Sequence, residues 1–576
     1  MIEKTEITIH HSPRANIEIF LPDGRSIQGT RGISLEKLLA GIDQLSNSPI
    51  MGAIVNGELR ELTYPIEIDA RVKPVTMSDA DGARIYRRSL TFLLEAAFDE
   101  LYQDCSLAVD HSVSSGGFYC ELVGREPLNQ AELNKLKVYM AELVNANQPF
   151  ERLQVPLQEA VEYFKQKGED EKVNLLKYRT KAHLVLYRLG DHRDYHHGYM
   201  VPSTGYLKWF DLTKLGDGFV LRFPRRHAPT QIQPLPNTNR LLDTFQTYGG
   251  WLNRLGIASI GALNDAIRAD RIREVILVSE ALQEQKIAEI ARSIADAQPQ
   301  KKIVLIAGPS SSGKTTFAKR LAVQLLARGI SPFALELDNY FVDREKTPKD
   351  ENGQFDFESL GALNTLALAD HLQRLISGEE VQLHRYNFKT GFSEPGDVVR
   401  IGKDQVVILE GIHGLNPKML PIIPAEQTFK LYCSCMTQLN LDRQNRISTT
   451  DSRLIRRIVR DARERGYSAQ QTIFQWESVR RGEKRNIFPY QEFADDMFNS
   501  ALVFELAALK PLVEPLLRQV PFGSPENIEA KRLLALLEWF LPLDSELIPD
   551  NSILREFIGG SILKGFRLWE SNINSL

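Results

Sequence analysis

The chain has few cysteines, no long apolar run and little net charge, and each of these absences excludes a class of protein. Its 576 residues include 4 cysteines, too few and too scattered for the disulfide framework of a secreted domain. No apolar run approaches the ~18 residues of a membrane span. A formal net charge of −4 argues against nucleic-acid binding by the whole surface. Residues 1–11 have no signal-peptide core, so we expect a cytoplasmic protein without a membrane segment.

The remaining composition is that of an ordinary globular protein, with 43% apolar and 25% charged residues. The length suggests about four domains. Cys433 and Cys435 lie two apart in an apolar, strand-like run, where they could face the same side. Nothing nearby completes a set of metal ligands, so we interpret them as reduced core residues.

The most informative stretch is K-I-V-L-I-A-G-P-S-S-S-G-K-T-T-F at residues 302–317. An apolar β-branched run predicts a strand, G-x-x-x-x-G-K-T follows at once, and residues 317–326 predict an amphipathic helix. Such a loop presents backbone N–H groups and a helix N-terminus to a phosphate chain. A chance match in a Gly/Ser-rich turn is the alternative, which the strand–loop–helix context disfavours. The predicted nucleotide-binding residues are Gly308, Ser310, Ser311, Ser312, Gly313, Lys314, Thr315 and Thr316.

Two of these side chains have specific predicted roles. Lys314 would reach the outer phosphates, and the Thr315 hydroxyl would hold Mg²⁺. The sequence from 303 to about 520 alternates strand-like and helical patterns, which predicts a parallel α/β sheet. The further strand-like runs are residues 333–337, 406–409, 429–433 and 502–506.

Acidic residues follow the predicted strands, where such sheets bind their ligands. Asp338, in L-D-N-Y-F, can accept a proton from an attacking hydroxyl, although a turn or N-cap aspartate is the alternative. Glu410, at the end of V-V-I-L-E-G, suits a carboxylate of the Mg²⁺ site, with a solvated strand end as its alternative. Asp356 is a weaker candidate that would equally serve as a turn residue.

An arginine-rich helix is predicted after the fourth strand. We favour a mobile lid that closes on phosphates over a solvated face or a nucleic-acid patch. Its arginines are Arg453, Arg456, Arg457, Arg460, Arg463 and Arg465.

Together with L-D-N-Y-F, H-R-Y-N-F, V-V-I-L-E-G-I-H and R-R-I-V-R-D-A-R-E-R-G, the loop resembles the uridine kinase and phosphoribulokinase family over residues 301–520. The resemblance implies ATP and Mg²⁺ as cofactors, Asp338 as catalytic base and Glu410 as a metal-site carboxylate. It implies that Arg456 and Arg460 assist the transfer and that Arg457 and Arg465 hold nucleotide as lid residues.

The same resemblance implies an acceptor pocket, and here the chain departs from the family. Tyr386 falls where the family places an aromatic side chain against the acceptor base. Asn387 replaces the aspartate of Y-D-F, and Glu358 replaces the aspartate of F-D-H-P. Residues 389–391, K-T-G, replace a segment that supplies a base-reading histidine. The reaction class is therefore better determined than the acceptor.

The N-terminal half has two further resemblances. Residues 14–78, with L-P-D-G after a strand and A-I-V-N-G after a helix, resemble a TGS domain of the β-grasp type. Residues 84–225 resemble the second additional domain of threonyl- and alanyl-tRNA synthetases, which edits mischarged tRNA. That family carries H-x-x-x-H and C-x-x-x-H, the spacing of a metal site. This chain has Arg88, Phe92, His196 and Met200 there, so we expect that zinc-dependent editing is lost.

The nearby histidines leave metal binding open. Three further histidines lie near the altered motif in the sequence: His111, His192 and His197. A solvated surface is nevertheless the commoner explanation for a histidine-rich loop.

These patterns predict an α/β P-loop kinase domain preceded by a β-grasp domain and an α+β synthetase-like domain. The predicted segments are a TGS-like domain (1–80), a synthetase-like region (81–227), a linker and helical connector (228–300), a kinase domain (301–520) and a C-terminal helical extension (521–576). The whole arrangement resembles the TGS-containing uridine kinase-related proteins.

We expect a phosphotransferase that acts on a small-molecule hydroxyl, with a nucleoside as the favoured acceptor. The alternative is an RNA- or ribosome-associated regulatory NTPase that binds through its TGS-like half. A guanine-specific version would need [N/T]-K-x-D after the loop, and that motif is absent. The sequence leaves RNA binding and homo-oligomerisation open.

Overall fold

The computed structural model describes residues 12, 14–43, 48–113, 116–235, 239–349, 353, 355–387, 389–402, 405–437 and 439–566. Residues 1–11, where no signal peptide is predicted, lie outside the described residues. The chain forms two compact units. Unit 1 comprises residues 1–236 with the short segments 442–446 and 521–528, and unit 2 comprises the rest. None of the described helices is long and apolar enough to cross a membrane.

Unit 1 begins with a five-stranded sheet of order β2-β1-β7-β4-β5, in which β1 and β7 run parallel and the other pairs antiparallel. Its V-N-G-E turn between β4 and β5 has Asn56 and Gly57 at φ +49° and +86°, the positive-φ pair of a tight hairpin. The elements are β1 (Asn16–Phe20), β2 (Ser26–Thr30), β3 (Ile33–Ser34), α1 (Leu35–Asp43), β4 (Ile50–Val55), β5 (Glu58–Arg60), β6 (Pro65–Ile66) and β7 (Ala70–Thr76).

The rest of unit 1 packs the long helix α2 among two further sheets, β13-β14-β9-β8 and β10-β11-β12. Helix α3 starts at a capping box, in which Asn129 accepts from the Glu132 N–H and the Glu132 carboxylate accepts from the Asn129 N–H. The elements are α2 (Ala80–Leu101), β8 (Ser106–Val113), β9 (Gly117–Val123), α3 (Gln130–Ala146), β10 (Glu151–Pro156), α4 (Leu157–Gln166), α5 (Asp170–Leu176), β11 (His183–Leu189), β12 (His192–Asp194), β13 (Asp211–Leu215) and β14 (Gly218–Arg222).

Unit 2 is built on a parallel sheet of order β16-β19-β15-β20-β21. The central strand β15 is buried throughout, as its apolar run predicts. The elements are α6 (Asn239–Leu255), α7 (Ile260–Arg268), α8 (Ile272–Asp296), β15 (Ile303–Ala307), α9 (Lys314–Leu326), β16 (Ser331–Glu336), α10 (Thr365–Ile376), β17 (Val381–Asn387), β18 (Phe392–Val399), β19 (Gln405–Glu410), β20 (Thr428–Ser434), α11 (Thr449–Glu464), α12 (Ala469–Asn486), β21 (Asp496–Asn499), α13 (Glu505–Arg518), α14 (Pro525–Leu537) and α15 (Arg555–Ile558).

One predicted strand is wrong. Residues 502–506 were expected to form the fifth strand, but Glu505 begins helix α13, and β21 supplies the fifth strand a few residues earlier. The five-part division of the chain stays a prediction.

Candidate active site

The loop between β15 and α9 has the backbone geometry of a phosphate cradle. Gly313 has φ +84°, a conformation that L side chains rarely adopt. A Cβ added at Gly308 would lie 1.9 Å from the Cys433 carbonyl oxygen, so the neighbouring strand leaves no room for a side chain. Helix α9 then begins at Lys314, and its N-terminus faces the loop. Both glycines are therefore required for the close turn that exposes backbone N–H groups.

Polar groups of the loop are left without partners, which fits a nucleotide phosphate. The hydroxyls of Ser311 and Ser312 are buried and have no hydrogen-bond partner among the described residues. Ser311 also has φ +58°, a strained value for a residue with a side chain. The Lys314 ammonium donates only to the Pro309 carbonyl, at 3.2 Å, among the hydrogen bonds described for it. Such a lysine can exchange a weak carbonyl contact for phosphate oxygens.

Thr315 and Glu410 lie together, as a Mg²⁺ site requires. The Thr315 hydroxyl donates to Glu410 Oε1 at 3.1 Å. Burial raises the pKa of Glu410 to about 7, against the lowering effects of Lys314 and of the Thr315 hydrogen bond. A hydroxyl and a carboxylate are the hard oxygen donors that Mg²⁺ prefers. These two residues would hold the ion, which would neutralise phosphate charge when bound.

Asp338 lies beside the same lysine. It sits in a 3-10 turn after β16, and its side chain is solvent-accessible. Surrounding protein atoms nevertheless raise its pKa by desolvation, Glu336 raises it further, and Lys314 lowers it. Asp338 also raises the pKa of Glu410, so the two carboxyl groups interact. The predicted base and the predicted metal-site carboxylate therefore share one cleft with Lys314.

Glu358 faces the same cleft. Burial raises its pKa to about 7, Glu483 raises it further, and Arg457 and Lys314 lower it. Its neighbour Asp356 accepts from the Glu358 backbone N–H at 3.1 Å. Asp356 thus stabilises a turn, which is the alternative that the sequence analysis gave for this residue.

The residues predicted for the acceptor side lie at the end of β17, before the β17–β18 turn. Tyr386 is buried and its ring meets that of Phe341 edge to face, with centroids 5.5 Å apart. Asn387 is turned away into the hairpin, where its side-chain oxygen accepts from the N–H groups of Lys389 and Thr390 at 3.1 and 3.2 Å. The residue that replaces the family's aspartate therefore stabilises the turn.

The arginines of α11 are not equivalent. Arg457 donates to the Ser310 hydroxyl at 2.9 Å and thus touches the phosphate loop. Arg460 and Arg465 both pair with Asp461, and Arg465 is half exposed. Arg456 is fully buried and bonded to the Ser500 carbonyl and to Glu505. The structure therefore brings Arg457 to the loop and does not bring Arg456 there.

Two loop contacts were missed by the sequence analysis. Glu483 accepts from the Ser310 N–H at 3.0 Å while pairing with the buried Arg453. Glu556, on α15, accepts from the N–H and hydroxyl of Thr316 at 3.2 and 2.9 Å. Neither residue belongs to a motif, and Glu556 is 240 positions from its partner, so no local pattern could have indicated it.

This geometry agrees with the outcome of the family comparison. Residues 303–504 match the phosphoribulokinase / uridine kinase family. The match spans β15, the phosphate loop, Asp338, Glu410 and α11, so this part of the chain is similar to the kinases of that family. A solved structure described as a possible uridine kinase from Bacillus stearothermophilus is similar at 18% identity and a TM-score of 0.26, covering 37% of this chain and 98% of that one.

The N-terminal region has different relatives. It is similar to threonine–tRNA ligases, at 29% identity over 204 residues for that of Clostridium kluyveri and 33% over 203 residues for that of Halorhodospira halophila. Each alignment covers 35% of this chain and 32% or 31% of the ligase. The chain thus spans about a third of the length of these relatives.

Proposed function

We propose that the protein is an ATP- and Mg²⁺-dependent kinase that phosphorylates a hydroxyl of a small molecule, with the 5′-hydroxyl of a nucleoside as the favoured acceptor. One observation carries the proposal: the Lys314 ammonium acts electrostatically on Asp338, Glu358 and Glu410 together. A phosphate-binding cation, a metal-site carboxylate and acceptor-side carboxyl groups thus meet at one phosphate loop. Phosphoryl transfer depends chiefly on such positioning and charge stabilisation.

Each residue has a role that follows from its place. The loop N–H groups and Lys314 bind the phosphates, and Thr315 with Glu410 holds the metal. Asp338 accepts the proton of the attacking hydroxyl, and its raised pKa brings it closer to neutrality, where a general base is most effective. Arg457, already bonded to Ser310, would follow the loop as nucleotide binds, while Arg460 and the exposed Arg465 would close over the phosphates once released from Asp461.

The nucleoside class rests on a smaller set of features. Tyr386 and Phe341 offer an aromatic surface on which a base can pack. Glu358 follows Phe357, whose ring lies 5.8 Å from that of Phe341, and it interacts electrostatically with Lys314. Its ionised carboxylate could accept from sugar hydroxyls. Because Asn387 is held in its own turn, base recognition would differ from that of the family's pyrimidine kinases.

The test is ATP turnover by the full chain with and without a panel of nucleosides and other small hydroxyl compounds. We expect phosphate transfer to at least one nucleoside, dependent on Mg²⁺ and lost in Lys314→Ala. Transfer to a non-nucleoside alone would keep the kinase and reject the acceptor class. Mg²⁺-dependent hydrolysis that no acceptor stimulates would reject the kinase.

A regulatory RNA- or ribosome-associated NTPase is the second candidate, supported by the similarity of the N-terminal region to threonine–tRNA ligases. This second candidate function assigns no role to Asp338. Acceptor-independent hydrolysis that RNA or ribosomes stimulate, unchanged in Asp338→Asn, would favour this candidate.

A further inference from the structure

A cluster of buried polar side chains lies in unit 1, between helix α2 and the segment that starts with β12. Its donors are Glu95 on the helix, His192 and Asp194 on the strand, and His196 just after it. One ligand atom from each of Glu95, His192 and Asp194 lies within 4.8 Å of the others, and all three side chains are more than nine-tenths buried. His196 joins them through Glu95 Oε2, 2.8 Å from its Nε2.

The hydrogen bonds of His192 prepare it as a ligand. Its Nδ1 lies 2.8 Å from Asp99 Oδ2, a contact in which the imidazole donates and the carboxylate accepts. That bond leaves the lone pair of Nε2 facing inward, and Nε2 is buried without a hydrogen-bond partner among the described residues. A carboxylate that orients the far nitrogen of a histidine is the usual arrangement behind a metal-ligating imidazole.

Glu95 supplies the second open atom. Its Oε1 is also buried without a hydrogen-bond partner in the described part of the chain. Its Oε2 lies 2.8 Å from His196 Nε2 and 4.0 Å from His192 Nε2. Ligands of a tetrahedral zinc ion, at ~2.0–2.1 Å from the metal, are about 3.3 Å from one another. The two observed separations bracket that spacing, so Glu95 lies at a distance from each imidazole at which the two groups could share an ion.

Charged groups surround the cluster. Asp194 pairs with the buried Lys172 at 2.5 Å, and Lys167 lies 3.5 Å from Asp99. Asp442 acts electrostatically on both Lys172 and His196. The two ammonium groups nearest the cluster therefore already have carboxylate partners other than Glu95.

We infer that Glu95, His192 and His196 form a site for a divalent transition metal, with zinc as the ion that two imidazoles and a carboxylate suit best. Asp194 or a water would complete the coordination, and Asp99 positions His192. Glu95 and His192 lie outside the four motif positions of the synthetase family, where Arg88 and Phe92 have replaced two ligands. Phe92 instead packs edge-on against the rings of His192 and His196, at 5.0 and 5.4 Å. The proposed ligands therefore differ from those of the motif, and only His196 occupies one of its positions.

The experiment uses the full chain, stripped with a chelator and titrated with zinc by calorimetry in excess Mg²⁺, which occupies the kinase site. We expect one zinc per chain, and affinity at least about tenfold lower in His192→Ala and Glu95→Gln. Asp99→Asn should lower it by about 10–100-fold while retaining the tetrahedral spectrum of bound Co²⁺, as a positioning residue would. His183→Ala, an exposed histidine on β11, is the matched control and should bind as wild type does.

The proposal fails if wild type takes up no zinc, which would leave a proton-sharing network of the same residues. It also fails if His192→Ala and Asp99→Asn, shown to be folded by circular dichroism, bind zinc as tightly as wild type. Should Glu95→Gln not fold, these two variants decide the question.

Discussion

In the proposed transfer, Lys314 and Asp338 would act through different states of the reaction. Lys314 would neutralise phosphate charge in both the bound and the transition state, so Lys314→Ala should weaken nucleotide binding and turnover together. Asp338→Asn keeps the shape of the side chain but cannot take the proton. We expect kcat to fall by about 10² or more, with KM for ATP little changed. Steady-state kinetics check both, with the exposed Asp370→Asn on α10 as control. Wild-type kcat in Asp338→Asn would remove the residue from the mechanism.

The pKa of Glu358 makes the stability of the protein depend on pH. Its native-state pKa of about 7 exceeds the ordinary value of 4.5, because burial and Glu483 disfavour the ionised form. The native state therefore holds more protons than the unfolded state between these values, and the free energy of unfolding falls as the pH rises through this window. Glu358→Gln has no ionised form, so it should be more stable than wild type above pH 7, by about 1 kcal/mol, and equal to it near pH 4.

Denaturant titrations at about pH 4 and pH 8 measure this difference, and the exposed Glu426→Gln is the control. An equal effect of Glu358→Gln at both pH values would show that the ionised form carries no cost in the native state.

At the scale of single residues, sequence alone could identify the groups that form local motifs. Lys314, Thr315 and Glu410 lie in contiguous or near-contiguous patterns, and the structure brings them together. Glu556 and Glu483 could not be found, because their role comes only from the fold that carries a distant carboxylate to the loop. Arg456 shares a motif with Arg457 yet is held in the core, since helical position and not residue type decides burial.

Helix α11 contains both structural and accessible arginines, which can be tested separately. Arg465→Glu reverses a half-exposed charge, and Arg460→Gln removes a mostly buried one that pairs with Asp461. Both should lower kcat/KM by about tenfold to a hundredfold if these arginines close on phosphates. Arg456→Ala removes one partner of a buried ion pair and should instead cost about 3–5 kcal/mol of stability. Arg328→Glu, an exposed arginine after α9, is the control. Unchanged kinetics with a steep loss of RNA affinity would assign the helix to nucleic-acid binding.

Helix α15 carries a negative charge to the start of α9. The Glu556 carboxylate accepts from the Thr316 N–H, a backbone donor at a helix N-terminus of the kind that binds phosphate. Carboxylate and phosphate would compete for this donor and repel each other. Glu556→Gln should therefore bind ATP about fivefold more tightly, equivalent to ~1 kcal/mol, in a fluorescence or calorimetric titration. The exposed Glu546→Gln is the control, and weaker binding by Glu556→Gln would mean that the carboxylate helps to shape the loop.

The mistaken strand shows where short patterns fail. Residues 502–506, L-V-F-E-L, have the length of a strand and four apolar residues, but the segment ends in the first turn of a buried helix, which starts at Glu505. The real strand, β21, is only four residues long and begins with an aspartate. The start of α3 is by contrast marked in the sequence, since Asn129 and Glu132 form the capping box that the structure shows.

At the scale of the whole molecule, the chain is similar to different proteins in its two units. Unit 2 contains the region that matches the phosphoribulokinase / uridine kinase family, with the phosphate loop in it. The N-terminal region is similar to threonine–tRNA ligases. Motif order could predict that the two regions resemble different proteins. The buried Glu95 cluster, in contrast, depends on packing between α2 and β12 that no spacing rule shows.

The changes in unit 1 lead to a prediction about the full chain. Phe92 is fully buried against His192 and His196, and Arg88 donates to the Tyr199 carbonyl at 2.6 Å. Two positions that supply metal ligands in the editing family therefore hold an aromatic ring and a cation, neither of which can coordinate zinc at neutral pH. We expect no hydrolysis of mischarged tRNA for threonine, with or without added zinc, in an assay where an editing-competent threonine–tRNA ligase is the positive control. Hydrolysis by wild type that His196→Ala abolishes would show that the changed donor set still performs the reaction.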